Sequence, residues 1–171
     1  EAYAEFGELN YADASRKAVE VMIEDISGAL RIANEGRRRQ MSTKTKETLT
    51  VISQEEIGRD IYSLWLQTDQ MAQNARPGQF LSLYTGDGSK LLPRPISICE
   101  IDKEDSKIRL VYRVTGKNTG TEGFSRLKPG EKIEALGPLG NGFPLEEAEG
   151  KKVFLIGGGI GIPPMLETAN S

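Results

Sequence analysis

The segment Arg94-Pro95-Ile96-Ser97-Ile98 decides how the chain is read, because it sets a cation and a hydroxyl on one extended run. Successive side chains of a strand point to opposite faces, so Arg94 and Ile96 share one side and Ser97 lies opposite Ile96. A strand leaving a turn in this way can offer a guanidinium to a phosphate and a hydroxyl to the edge of a ring. Arginine suits the first task through its permanently charged planar fork, which grips phosphate with two bonds at once. Serine suits the second because one hydroxyl can both donate and accept. The plainer alternative is an Arg-Pro edge strand with an incidental serine.

Outward from this run, alternating segments recur over 49–53, 61–67, 80–84, 96–101, 108–114 and 132–136. Turn signals separate them, among them Arg76-Pro77-Gly78, Gly86-Asp87-Gly88 and Lys128-Pro129-Gly130. Short strands at this spacing predict a mainly β fold, a six-stranded antiparallel barrel or a sandwich. One short helix is expected over 121–127. Arg76-Pro77-Gly78-Gln79-Phe80 reads as structural, with proline and glycine setting a turn and Phe80 entering the core. Tyr62 and Trp65 read as packing residues, and Cys99 as a small buried apolar residue rather than a redox group.

The texture changes on both sides of this β region. Val153-Phe154-Leu155-Ile156 is a continuous apolar run, as expected of a strand buried on both faces. It leads into Gly157-Gly158-Gly159-Ile160-Gly161 and a helix start at Pro163-Pro164, the opening of a doubly wound nucleotide-binding unit. Such a domain takes roughly 100 residues, so the chain is expected to be incomplete. Residues 1–40 read as one amphipathic helix: Asp13 is an N-cap, Ala18, Val19, Met22, Ile23, Ile26 and Leu30 form one face, and Gly36 is a stop. The expected division is a helical remnant at 1–40, the barrel at 41–150 and the start of a truncated nucleotide-binding domain at 151–171.

Gly36-Arg37-Arg38-Arg39-Gln40 admits three readings: a solvated linker, a basic patch, or a purine-rich ribosome-binding site read through as codons. On the third, residues 1–40 belong to the end of an upstream gene and Met41 is the downstream start.

Composition narrows the chemistry. Lys and Arg number 22 against 25 Asp and Glu, a formal net charge of −3, which gives no support to a nucleic-acid partner. Histidine is absent, which removes Ser-His and Cys-His nucleophiles and the commonest metal ligand. The single cysteine cannot supply a disulfide, a zinc site or an iron–sulfur site, and it fits a reducing cytoplasm. No apolar run approaches the length of a membrane span, so no membrane partner is expected.

The nineteen glycines are the informative excess. Val111-Tyr112-Arg113 ends a strand, and Gly116-Lys117-Asn118-Thr119-Gly120-Thr121 leads from it into the short helix. Glycines and a threonine there leave backbone N–H groups free for a phosphate; a glycine turn with a helix cap is the bland alternative. Gly137-Pro138-Leu139-Gly140-Asn141-Gly142-Phe143 is a strand-exit loop, a linker at least as readily as a contact.

Taken in order, these motifs resemble FAD-binding flavoproteins of the ferredoxin-reductase type over nearly all of residues 41–171. Arg94-Pro95-Ile96-Ser97-Ile98 is similar to the flavin strand of that family, and Gly157 to Gly161 to its NAD pyrophosphate loop. The family's Gly-Thr phosphate pair aligns with Gly120-Thr121; because this sequence is one or two residues longer there, Asn118-Thr119 stays open. The resemblance implies FAD bound by Arg94, Pro95, Ile96, Ser97, Val111, Tyr112, Arg113, Gly120 and Thr121, with no catalytic acid or base and no metal ligand.

Arg-Pro-Ile-Ser-Ile and Pro-Leu-Gly-Asn-Gly-Phe are similar in particular to the electron-transfer subunits of NAD-linked dihydroorotate dehydrogenases. That implies FAD taking electrons from a two-iron two-sulfur cluster and passing them to NAD, in the cytoplasm, during pyrimidine biosynthesis. It also implies an FMN-containing catalytic subunit that oxidises dihydroorotate, joined in a heterotetramer, and cluster cysteines lying beyond residue 171. This chain alone would then be limited to binding FAD. Residues 11–26 resemble the final helix of orotidine 5′-phosphate decarboxylase, of the same pathway, and carry none of its catalytic residues. Two alternatives stand: another ferredoxin-reductase-like subunit linked to NAD(P)H, and an inert polypeptide that holds no flavin.

Overall fold

The computed structural model describes residues 44–171. Six strands make its body: β1 (Thr45–Gly58), β2 (Ile61–Gln67), β3 (Phe80–Leu83), β4 (Arg94–Asp102), β5 (Lys107–Arg113) and β6 (Lys132–Leu139). Every neighbouring pair is antiparallel, and the order β1-β2-β5-β4-β3-β6 closes into a barrel. Closure leaves no long edge to recruit another strand. All six expected strands are present, and the barrel, not the sandwich, is the outcome.

β1 runs to fourteen residues because it serves two partners. Its first half pairs with β6, from Thr45 opposite Gly137 to Thr50 opposite Lys132. Its second half pairs with β2, and the ladder slips between Val51 and Ser53. Such a slip bends the strand and increases its twist, which lets one strand turn the corner of a small barrel.

The interior is built by period-two alternation. Leu49, Val51, Leu64, Leu66, Leu81, Leu83, Ile98, Ile108, Leu110, Tyr112, Ile133 and Ala135 join one buried cluster. A helix too short for any periodicity signal, α1 (Met71–Asn74), plugs one end with Met71 and Ala72. The Thr68 hydroxyl accepts from the Ala72 N–H at 3.1 Å, and the Glu47 carboxylate accepts from the Asp69 and Gln70 N–H groups at 3.0 and 3.2 Å. These side chains satisfy amides that so short a helix cannot satisfy itself.

Three expectations need correction. Phe80 is only half-buried; Gln79 and Leu81 on either side of it are the buried residues. The Phe80 ring instead lies beside Gly140. The helix expected over 121–127 is α2 (Gly120–Phe124), after which Arg126 and Leu127 close tighter turns onto the carbonyls of Gly123 and Phe124. Val153 to Ile156 forms no strand. Phe154 and Ile156 are 84% and 89% exposed, because the closed barrel has no edge to pair with them and no other strand lies among the described residues. The helix after them does form, as α3 (Pro163–Asn170), with proline in its first turn. The readings placed on residues 1–40 lie outside the described residues.

Antiparallel pairing brings the start of β4 and the end of β5 to the same end of the barrel as α2. There the two strands part. Their shared ladder begins at Ile98 opposite Leu110 and runs to Asp102 opposite Lys107. Beyond it, Arg94 to Ser97 pair only with β3, and Val111 to Arg113 only with β2. The splay leaves an open seam between them.

Candidate functional site

The seam is a cleft of about 380 Å³ lined by Arg94, Pro95, Ile96, Ser97, Val111, Tyr112, Arg113, Thr115, Thr121 and Ile160. Every residue the sequence singled out is on that wall except Gly120, which stands directly behind it. A Cβ placed on Gly120 would lie 2.8 Å from Arg94 Nε and 2.9 Å from Thr85 Cγ2. The missing side chain therefore lets the arginine pass close over the helix start.

Both cations, Arg94 and Arg113, line the cleft without an ion-pair partner among the described residues. Arg94 Nη1 donates to the Leu92 carbonyl at 2.7 Å, which fixes the guanidinium and leaves its other N–H groups unassigned. Two unpaired guanidiniums at one cleft favour an anion with several oxygens.

The turn before α2 separates the two threonines. Thr119 is the N-cap: its hydroxyl donates to the Gly116 carbonyl at 2.8 Å and accepts from the Glu122 N–H at 3.2 Å. Asn118, in the left-handed region at φ 58°, donates its N–H to Glu122 Oε2 at 2.5 Å. That amide, with Arg126 adding to its effect, holds the Glu122 carboxyl below the usual carboxylate range. Asn118 and Thr119 are thus engaged within the turn, whereas Thr121 faces the cleft. The first-turn amides of Gly120 and Thr121 have no carbonyl of their own helix to reach. Of the two pairs, Gly120-Thr121 is the one that stands at the cleft.

Tyr112 contributes differently from what its type suggests. Its ring is 1% exposed, stacked on Tyr62 at 5.8 Å and edge-on to Phe124 at 6.2 Å. Its hydroxyl accepts from Gln54 Nε2 at 2.7 Å, and the same amide nitrogen donates to the Phe124 carbonyl at 3.2 Å. Burial pushes the phenol pKa up to about 12, with the Gln54 bond opposing in part. Tyr112 is therefore a wall held from within the core, and Gln54 ties β1 to both β5 and α2. Cys99, in β4, is buried, and that burial pushes its thiol up, so the thiol is a packing group. Trp65 carries the Arg109 guanidinium 5.9 Å from its ring centre, on the face away from the core.

Thr115 and Ile160 line the cleft without having been singled out. Thr115 follows the β5 motif and could have been found by extending that motif two residues. Ile160 belongs to the glycine run, and no local signal connects it to this cleft. Two roomier depressions, about 440 and 570 Å³, are less suited to an anion. In the first, Asp60 and Glu122 offset Lys117 and Arg126, and Arg126 already pairs with Glu122; the second presents Glu146 and Glu149 with no cation.

The cleft fits the large cofactor implied by the resemblance. Pro95, Ile96, Val111 and Ile160 supply apolar wall, Ser97, Thr115 and Thr121 supply hydroxyls, and Arg94 and Arg113 supply charge. Apolar cover with a few convergent polar groups is the usual make-up of a small-molecule site.

Comparison with known proteins agrees. The sequence profile of the oxidoreductase FAD-binding domain matches residues 48–143. The electron transfer subunit of dihydroorotate dehydrogenase B (NAD(+)) from Streptococcus mutans serotype c is 50% identical over 125 residues, covering 72% of this chain and 47% of that protein. The subunit of the same name from Bacillus mycoides is 45% identical over 124 residues, 71% of this chain and 47% of its own length. The chain thus spans about half the length of these relatives. Among solved structures, Amycolatopsis cytochrome P450 reductase GcoB superposes with a TM-score of 0.61 at 30% identity, over 75% of this chain and 39% of that one. The ferredoxin reductase in carbazole 1,9a-dioxygenase shares the fold, with a TM-score of 0.60 at 24% identity over 72% and 38%.

Proposed function

Because the chain belongs to the oxidoreductase FAD-binding domain family, we propose that the splayed end of its barrel holds FAD through Arg94, Pro95, Ile96, Ser97, Val111, Tyr112, Arg113, Gly120 and Thr121. One observation carries the reading: two guanidiniums without carboxylate partners meet three hydroxyls on an apolar-walled cleft where β4 and β5 separate.

In this reading each group has a distinct task. Arg94 and Arg113 offset the diphosphate charge, and the first-turn amides of α2 with the Thr121 hydroxyl take phosphate oxygens. Ser97 bonds the polar edge of the ring, where a hydroxyl can donate or accept as the ring's needs change. Pro95, Ile96 and Val111 exclude water from the ring's face. Bound FAD supplies the electron and hydride transfer; the protein supplies position and electrostatics. No side chain of the cleft is required as an acid or base.

The wider role we propose is that of the electron-transfer subunit in dihydroorotate oxidation. Electrons from dihydroorotate would pass through an FMN-containing catalytic subunit and a two-iron two-sulfur cluster to this FAD, and on to NAD. The names carried by the relatives that are 45–50% identical to this chain over 124–125 residues support it. The one cysteine of these 171 residues is buried, so no cluster ligand set is offered by them. Pairing with the catalytic subunit in a heterotetramer, and a cytoplasmic setting, belong to the same proposal. No helix among the described residues is long and apolar enough to cross a membrane.

The test begins with the visible spectrum of the purified chain titrated with FAD. Saturable binding with a shifted flavin band is expected, and a colourless protein that stays so would refute the site. The full-length subunit with its catalytic partner should then reduce NAD at the expense of dihydroorotate. Failure there with FAD still bound would redirect the electron path and leave the cofactor site standing.

A further inference from the structure

Ile160 stands at least 39 positions beyond every other residue of the cleft wall, Thr121 being the nearest in sequence and Thr115 lying 45 positions before it. It nevertheless shares that wall with Ser97, Val111 and Arg113, and it is 43% exposed. The glycine run presents it there. Gly159 takes φ 55°, and a Cβ on Gly157 would lie 3.0 Å from the Gly161 carbonyl oxygen, so the turn is shaped by residues without side chains. Hydrogen bonds from Gly161 N–H to the Gly158 carbonyl at 3.0 Å and from Ile162 N–H to the Gly159 carbonyl at 3.2 Å close the turn. Within residues 157–161, Ile160 has the only side chain.

The turn is also anchored to the strand that carries the arginine. α3 follows it directly, and the Glu167 carboxylate accepts from the Ile101 N–H of β4 at 2.8 Å. That amide lies just past the slip in the β4–β5 ladder between Ile98 and Glu100. Among the described residues Glu167 has no Lys or Arg partner, so the strand amide is its assigned contact.

We propose that Ile160 is a cofactor-contacting residue, an apolar wall for the flavin ring, and that Glu167 is the positioning residue that keeps it over the cleft. The proposal rests on the cleft being the FAD site. It assigns ring recognition partly to a residue outside the barrel motifs and leaves phosphate recognition to Arg94, Arg113 and α2.

Titration of the 171-residue chain with FAD and with riboflavin, which has the ring but no phosphate, separates the possibilities. Ile160→Ala should weaken both ligands by the same factor, about tenfold for an aliphatic side chain stripped to its Cβ, with an unchanged melting midpoint of the ligand-free protein. Glu167→Ala should weaken both in the same way. Ile160→Ala added to Glu167→Ala should cost little more than Glu167→Ala alone, as expected of residues acting as one unit. Wild-type affinity in Ile160→Ala, or a loss confined to FAD, would overturn the ring contact. Fully additive losses would overturn the role of Glu167. A wild-type chain that binds neither flavin would refute the FAD site itself, before any substitution is considered.

Discussion

Replacing Arg94 by alanine isolates the phosphate half of the cleft. A charge-assisted hydrogen bond contributes about 1.5–3 kcal/mol. The cleft is open to solvent and one arm of the guanidinium is already held by the Leu92 carbonyl, which argues for the lower part of that range. Since each 1.4 kcal/mol is a factor of ten, FAD affinity should fall by roughly ten- to thirtyfold. Riboflavin affinity should stay within about twofold, because riboflavin offers no anion to the guanidinium. Arg94→Met controls for packing, since it keeps a stem beside Gly120 while removing the charge. Arg94→Lys should recover only part of the loss, for a point charge replaces a planar fork. The wild-type preference for FAD over riboflavin should shrink as salt rises, with screening lengths falling from about 10 Å at 0.1 M to about 3 Å at 1 M. The assay is an absorbance titration of each variant with both ligands. Equal losses for FAD and riboflavin, or no loss for either, would refute the assignment of Arg94 to phosphate.

Two further outcomes concern the barrel that holds the cleft. A Cβ on Gly137 would lie 2.3 Å from Cδ2 of the fully buried Leu81, so Gly137→Ala should destabilise the fold by about 1–3 kcal/mol in urea melts. Unchanged stability would mean that β3 and β6 can move apart more freely than their pairing implies. The Tyr112 phenol is raised from its ordinary 10.0 to about 12 by burial, so folding favours the neutral form. Its contribution to stability is fully present below pH 10.0 and is lost as pH rises towards about 12. Urea melts across that window should fall more steeply for the wild type than for Tyr112→Phe; parallel curves would contradict the buried phenol.

How far sequence could reach is clear from which elements it placed. The strands were legible because each buries one face in a barrel, which imposes period-two alternation on runs such as Leu64, Leu66 and Ile108, Leu110, Tyr112. That Arg94, Ser97 and the β5 residues would lie together was legible because their motifs sit at strand positions that antiparallel pairing brings to one end of the barrel. Phe80 was misplaced because the turn before it sets the register of the strand, and a one-residue change of register exchanges the two faces. That register sends Leu81 inward and leaves the ring of Phe80 against Gly140. α1 escaped notice because four residues carry no helical period, and its stability comes from Thr68 and Glu47 rather than from its own sequence.

Val153 to Ile156 shows the other limit. An apolar run states that a segment is to be covered, but which surface covers it is a property of its neighbours, and a closed barrel offers none. The same reasoning explains Ile160. Its place on the cleft follows from a carboxylate on α3 meeting a strand amide at the β4 irregularity, a contact between residues 66 positions apart. Local pattern can specify which chemistry a strand carries; only the packing of α3 against β4 decides which side chain completes the wall opposite it. A cleft built this way has its charge and most of its apolar wall written into contiguous strand motifs, and only its last apolar side chain, Ile160, brought in by a tertiary contact.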